Sequence, residues 1–393
     1  MNVLLCPLSD PGYLYPAIAV GLELDRRGDV VCVLGRASAA KAATDAGLAM
    51  GPAAEFGAES AFSAGRWFAE GEGQYRATRM AALAVGADVI VTSVLCHGAL
   101  AAAESLGIPV VVMGFAAHLW TYRGGNGAGA RAKLEDGFLK RLEEIRLAAG
   151  LPARDGLGAG HGRSPLFGDG FLLRGDPEFE EPGAVLPDGV EHIGPCFWEP
   201  AAAESELDDI DARVRECGKP VLYVHLGRYF GGTGMWPTLI EAFTGGTHQA
   251  IVELGRTDGP VPAEAAGADI VCVRKPWMGP LIDRADLVLT SATSAPVLGA
   301  LLRGKPLVVA PEGSEQVLLA GACIRAGVAE VLPEGSAAAG ALERISADDA
   351  MRTRARRLGA RLAVVDGPAL AADAVYRAVT GRVRCERKES VNA

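Results

Sequence analysis

Six histidines and a scatter of carboxylates and hydroxyls bound the chemistry available to this 393-residue chain. His97 and His118 each follow an apolar β-branched run, 89–92 and 110–113, and so stand near the carboxyl ends of expected strands. An imidazole there titrates in the range a general base needs. Asp10 precedes a Pro-Gly pair and serves equally as a base or as the cap of that turn. Tyr13 lies three residues on, but a phenol with an ordinary pKa near ~10 is poorly matched to proton abstraction at neutral pH. Farther along, Ser291, Thr293 and Ser294 cluster just before Pro296. A helix starting there offers free amides and its positive dipole end to an anion. Plain N-capping by the same hydroxyls is the competing account.

These residues need a scaffold, and the apolar pattern supplies one. In the first half, strands are expected at 3–6, 30–34, 89–92 and 110–113. Helices are expected from about Pro16 to Arg27, from Lys41 onward and over 98–106. In the second half, strands at 221–225, 251–254, 270–273, 287–289 and 307–309 alternate with helices at 231–243, 296–302 and 316–326. Nearly all-apolar strands separated by helices predict parallel sheets covered on both faces. The Pro-, Ala- and acid-rich stretch 197–219 reads as a linker. The expected organisation is therefore α/β: an N-terminal domain over 1–196, the linker, a C-terminal domain over 220–381 whose last helix is free to pack back on the first domain, and a flexible tail over 382–393. Two doubly wound, Rossmann-like domains facing across a cleft suggest two substrates, one at the strand ends of each. The Gly-rich stretches 56–79 and 116–138 carry Trp67, Tyr75, Trp120 and Tyr122 and read as long loops walling a ligand.

Composition narrows the classes. The net charge is −10 and charged residues make up 22%, which argues against general nucleic-acid binding. No clean apolar window of ~20 residues predicts a membrane span, and the N-terminus lacks the basic region of a signal peptide. Eight cysteines without a CxxC spacing fit free thiols in a reducing cytoplasm, not a disulfide framework or a metal site.

Five stretches together carry a resemblance. They are PGYLYPAIAVGLELDRRGDVVCVLG near the N-terminus, IGPCF at 193–197, VLYVHLGR at 221–228, VRKPWMGPLIDRADLVLTSATSAPVLGALLRGKPLVV at 273–309 and PEGSEQVLLAGACIRAGVAEVL at 311–332. In order and spacing the chain resembles the GT-B glycosyltransferases, specifically the inverting bacterial enzymes that decorate natural products with nucleotide-activated sugars. The resemblance implies inverting transfer from a UDP- or dTDP-sugar to a small-molecule acceptor, with no cofactor and no metal, by a cytoplasmic monomer or homodimer. It also implies site residues. Ser291, Thr293 and Ser294 fall where the family binds phosphate, Trp277 and Met278 where it binds the nucleobase, and Glu315 and Gln316 where it contacts sugar hydroxyls. Arg228, after the glycine that ends the first donor-domain strand, adds a guanidinium suited to phosphate.

The departures cluster on the chemistry. Tyr13 stands where the family carries its base histidine, and neither Thr92 nor Ser93 supplies the carboxylate that orients it. Ser291-Ala292-Thr293 replaces a His-Gly-Gly. The base is therefore open among Asp10, His97 and His118, with Tyr13 the residue at the family position, or the acceptor manages without one. A catalytically altered GT-B protein acting as a nucleotide- or ligand-binding auxiliary subunit is the alternative.

Overall fold

The computed structural model describes residues 1–7, 9–51, 71–115, 128–154, 164–225, 232–254, 261–312 and 315–391, with some side chains at segment ends outside that description. The chain divides into two compact units, Met1–Trp198 with Val365–Ala393, and Glu199–Val364.

The first unit is built on a seven-stranded parallel sheet. Its strands are β1 (Asn2–Cys6), β2 (Val30–Val33), β3 (Ala49–Met50), β4 (Val89–Ser93), β5 (Val110–Gly114), β6 (Gly170–Leu173) and β7 (Val190–His192), in spatial order 3-2-1-4-5-6-7. The order reverses between β1 and β4, paired in register from Val3↔Val89 to Cys6↔Thr92. That reversal opens a crevice at the carboxyl ends. Residues of β1, β4 and β5 are buried on both faces, as helices on both sides of a sheet require. Those helices are α1 (Pro11–Arg26), α2 (Ala37–Asp45), α3 (Gly71–Val85), α4 (His97–Leu106) and α5 (Ala128–Ala148). The C-terminal α13 (Gly367–Val391) packs on α1: Arg27 pairs with Asp373 at 2.6 Å, and the Tyr376 hydroxyl donates to Asp29 at 2.6 Å. α3 and α4 pack at a glycine contact. A Cβ on Gly98 would lie 2.5 Å from the Gly71 carbonyl oxygen and from the Tyr75 nitrogen.

The second unit holds a six-stranded parallel sheet of β8 (Val221–His225), β9 (Gln249–Glu253), β10 (Ile270–Val273), β11 (Leu287–Thr290), β12 (Leu307–Val309) and β13 (Ala329–Val331), in order 10-9-8-11-12-13. Its reversal falls between β8 and β11, where His225 pairs with Thr290. The helices are α6 (Glu204–Cys217), α7 (Trp236–Phe243), α8 (Met278–Asp283), α9 (Ser294–Leu302), α10 (Glu315–Arg325), α11 (Ala337–Ala347) and α12 (Asp349–Ala363).

Several boundaries differ from the sequence reading. The first helix starts at Pro11, not Pro16. Asp10 caps it, Pro11 takes the position where a missing N–H is harmless, and Pro16 sits inside the helix. The second helix starts at Ala37, before Lys41. The supposed loops 56–79 and 116–138 give way to helices at Gly71 and Ala128. Their glycines hide the pattern, while an alanine-rich buried stripe on α3 supplies the packing. Within 197–219, taken as linker, residues 204–217 form α6, with Glu204 and Glu206 in its first turn and Arg215 in its last. Those charges complement the helix dipole. Residues 382–391, read as part of the tail, are helical within α13.

Candidate active site

In the second unit the geometry centres on the turn from β11 into α9. Thr290 Oγ1 accepts from the Ala292 N–H at 3.2 Å, and Ala292 is forced to φ +65° while fully buried. A non-glycine residue pays strain for that conformation. Ser291 is 7% exposed, and among the described residues its Oγ has no hydrogen-bond partner. Thr293 is the N-cap residue of α9, yet its side chain makes no capping hydrogen bond. The plain capping account therefore fails here. Among the described residues no hydrogen bond occupies the leading amides of α9, Ser294 among them, as a ligand or water would. Pro296 is the third helical residue, not the first as its place in the sequence suggested.

The other expected donor-side residues belong by sequence to the same unit. Trp277 is the N-cap residue of α8 and only 6% exposed, with Lys275 Nζ 5.4 Å from the centre of its ring. Its side chain is thus almost wholly buried. Met278, next in the chain, is half-buried. Gln316 is buried, and its Oε1 accepts from the Glu312 N–H at 3.1 Å. Glu315 begins α10, but its side chain, like the whole of Arg228, lies outside the described residues.

Two features of this unit were not anticipated. Glu199 Oε2 accepts from the Gly279 N–H at 2.9 Å and so fixes the start of α8, burial raising its pKa. The Tyr223 hydroxyl donates to the Glu253 carboxylate between β8 and β9, both residues being buried. Desolvation, with Glu253 beside it, holds the phenol well above its ordinary pKa. Glu199 carries no sequence signal because it sits in a stretch with linker composition. Tyr223 reads only as one more strand residue.

In the first unit the corresponding place is the crevice between β1 and β4, where Thr92 Oγ1 donates to the Cys6 carbonyl at 2.7 Å. Asp10 caps α1: its Oδ1 accepts from the Gly12 N–H at 3.0 Å, and its carbonyl accepts from Tyr13 and Leu14. Tyr13, in the first turn of α1, packs half-buried against a core that includes Cys6 and Cys96. The turn from β4 into α4 again places a non-glycine residue, Leu95, at positive φ (79°). His97 opens α4, is 3% exposed, and meets the Phe138 ring edge-on at 5.6 Å. Burial, helped by nearby Arg141, lowers its pKa to about 4. It is neutral at pH 7 but weakly basic. His118 lies outside the described residues. Arg174, just after β6, is a buried charged residue that the sequence did not single out.

Among the described residues no group of three His, Cys, Asp or Glu is placed to hold a metal ion, and no helix is long and apolar enough to cross a membrane.

No family model matches the chain. Among curated proteins it is similar to the NDP-glycosyltransferase YjiC of Bacillus subtilis, 26% identical over 174 residues, which covers 42% of each chain. The match thus spans less than half of that relative's length. Among solved structures it is similar to the glycosyltransferase of kitacinnamycin, with a TM-score of 0.73 and 21% identity over 96% of this chain and 98% of that one. It is also similar to the glycosyltransferase VinC in complex with dTDP, with a TM-score of 0.69 and 15% identity over 96% and 99%. The two Rossmann-like units, each reversing strand order beside its first strand, are those of the GT-B glycosyltransferase fold, and this chain has that fold.

Proposed function

We propose that the chain transfers a sugar from a nucleoside-diphosphate sugar to a small-molecule acceptor of the natural-product type, with inversion at the anomeric carbon. The observation that carries this is the β11–α9 turn. An uncapped helix N-terminus and a buried, unpartnered Ser291 hydroxyl stand together at the strand-order reversal of the second sheet. A departing diphosphate needs such preorganised donors. In this reading Ser291, Thr293 and Ser294 hold the diphosphate and Arg228 adds a positive charge. Trp277 and Met278 shape the nucleobase seat through backbone and packing, and Glu315 and Gln316 face the sugar. UDP and dTDP are the nucleotides to test, the second because the solved VinC complex holds it. Free, mostly buried thiols favour a reducing, cytoplasmic setting, and the protein works there as a monomer or homodimer.

The direct experiment incubates the purified chain with UDP-glucose and dTDP-glucose, and follows release of the nucleoside diphosphate together with equilibrium binding of each nucleotide. Release of one of them supports the transferase. Tyr13 at the family's base position keeps an auxiliary, non-catalytic role as the second reading. Tight binding without turnover of any sugar donor is its signature.

A further inference from the structure

Among the described residues two arginines are buried, and their surroundings differ. Arg146, 1% exposed, donates to Glu104 at 2.7 and 2.8 Å, to Glu143 at 2.5 Å and to the Pro152 carbonyl at 2.9 Å. Arg174, 3% exposed, follows β6 at the carboxyl edge of the first sheet. Its Nε donates to the Gly114 carbonyl at 3.0 Å, and among the described residues its guanidinium makes no ion pair. The carboxylates that follow in the chain have other partners. Asp176 accepts from the Glu178 N–H at 2.9 Å, and Glu180 lies 3.6 Å from His192. The titratable groups close enough to act on Arg174 are Cys196 and Tyr13. Burial pushes the Cys196 thiol up to about 12, so it is neutral and no counter-ion. A guanidinium does not escape burial by losing its proton. A buried charge without an ion pair among the described residues is costly for a fold to carry, so its persistence points to an anion that arrives from outside.

The same unit is poor in bases. Asp10 is spent on its helix cap, and the buried His97 imidazole is a weak proton acceptor. A nucleophile that reaches the site already ionised removes the need for one.

We propose that the acceptor of this enzyme presents a carboxylate, that Arg174 binds it, and that this carboxylate is itself the nucleophile, giving a glycosyl ester. The inference rests on the glycosyltransferase reading above. One carboxylate oxygen forms the bond to the anomeric carbon as the bond from that carbon to the diphosphate oxygen breaks. The bonding pair leaves on the diphosphate. No proton moves, because a carboxylate is ionised at neutral pH. The four N–H groups on the terminal nitrogens of Arg174 hold the acid and leave lone pairs free for attack.

The test is a panel of aromatic and aliphatic carboxylic acids, each paired with its primary alcohol, incubated with the donor sugar. Products are separated by mass and challenged with hydroxylamine, which cleaves esters. The expected result is transfer to acids at least 100-fold above the matched alcohols, with hydroxylamine-labile products. Arg174→Gln should lower kcat/KM for the acid at least 100-fold, Arg174→Lys less, and both should bind nucleotide as the parent does. Arg174→Met should melt no lower than the parent, since it removes an unpaired charge; a purely structural arginine would give the reverse. Preference for alcohols, loss of turnover in His118→Ala with acids, or acid turnover within threefold of the parent in Arg174→Gln overturns the proposal. So does donor hydrolysis with no transfer to any acid. Failure to bind or hydrolyse any nucleotide sugar overturns the glycosyltransferase reading instead.

Discussion

Replacing Ser291 by alanine should move stability and affinity in opposite directions. In the free protein the Oγ is buried and, among the described residues, without a partner. An unsatisfied buried hydroxyl costs roughly 1–3 kcal/mol, and its removal leaves a methyl group in a packed site. Taking the lower end, Ser291→Ala should stabilise the second unit by about 1 kcal/mol, or ~2–4 °C in melting temperature for a unit of this size class. If that hydroxyl is reserved for a phosphate oxygen, the same change removes a hydrogen bond to a charged group, worth roughly 1.5–3 kcal/mol. Nucleotide affinity should then fall by roughly 10- to 150-fold. Calorimetric melting without nucleotide, and isothermal titration with UDP and dTDP, measure the two effects separately. A variant that melts lower and binds as tightly as the parent would refute the reasoning, because the hydroxyl would then be structural.

Three further outcomes follow from the first unit. Gly98→Ala places a methyl 2.5 Å from backbone atoms of α3 and should cost ~1–3 kcal/mol, read as a lower melting temperature. Glu104→Ala strips the bidentate partner from buried Arg146 and should cost roughly 2 kcal/mol, below the usual range for breaking a buried pair because Glu104 is 30% exposed; urea unfolding reads it. The pKa of His97 falls from 6.5 to about 4 on folding, so the unfolded chain takes up its proton first. Its share of stability is intact above pH 6.5 and is lost as pH falls toward 4, ~3 kcal/mol in all. A His97→Leu variant should show a flatter acid limb in its urea midpoint against pH, and an unchanged limb would contradict the burial argument.

The fold was legible because its central strands are short apolar runs that need no alternation when both faces are buried. β1, β8, β10 and β12 match their apolar runs closely. What escaped were elements whose identity depends on tertiary pairing. β6, four residues between glycines, is a strand because Gly114 and Leu173 lie in register. α3 is a helix because Gly98 lets it approach α4. The β11–α9 turn was visible as a Ser/Thr cluster before a helix, but only the structure shows that the Thr293 side chain makes no capping hydrogen bond. Arg174 was invisible as a site. In sequence it is one arginine after FLL, and its meaning comes from burial without an ion pair among the described residues.

The most direct measurement is a crystal structure with UDP or dTDP bound. The diphosphate is expected against the start of α9, with Ser291 Oγ and the Ser294 amide within hydrogen-bond distance of its oxygens. A diphosphate seated anywhere else on the chain, with Ser291 still unpartnered, would contradict it.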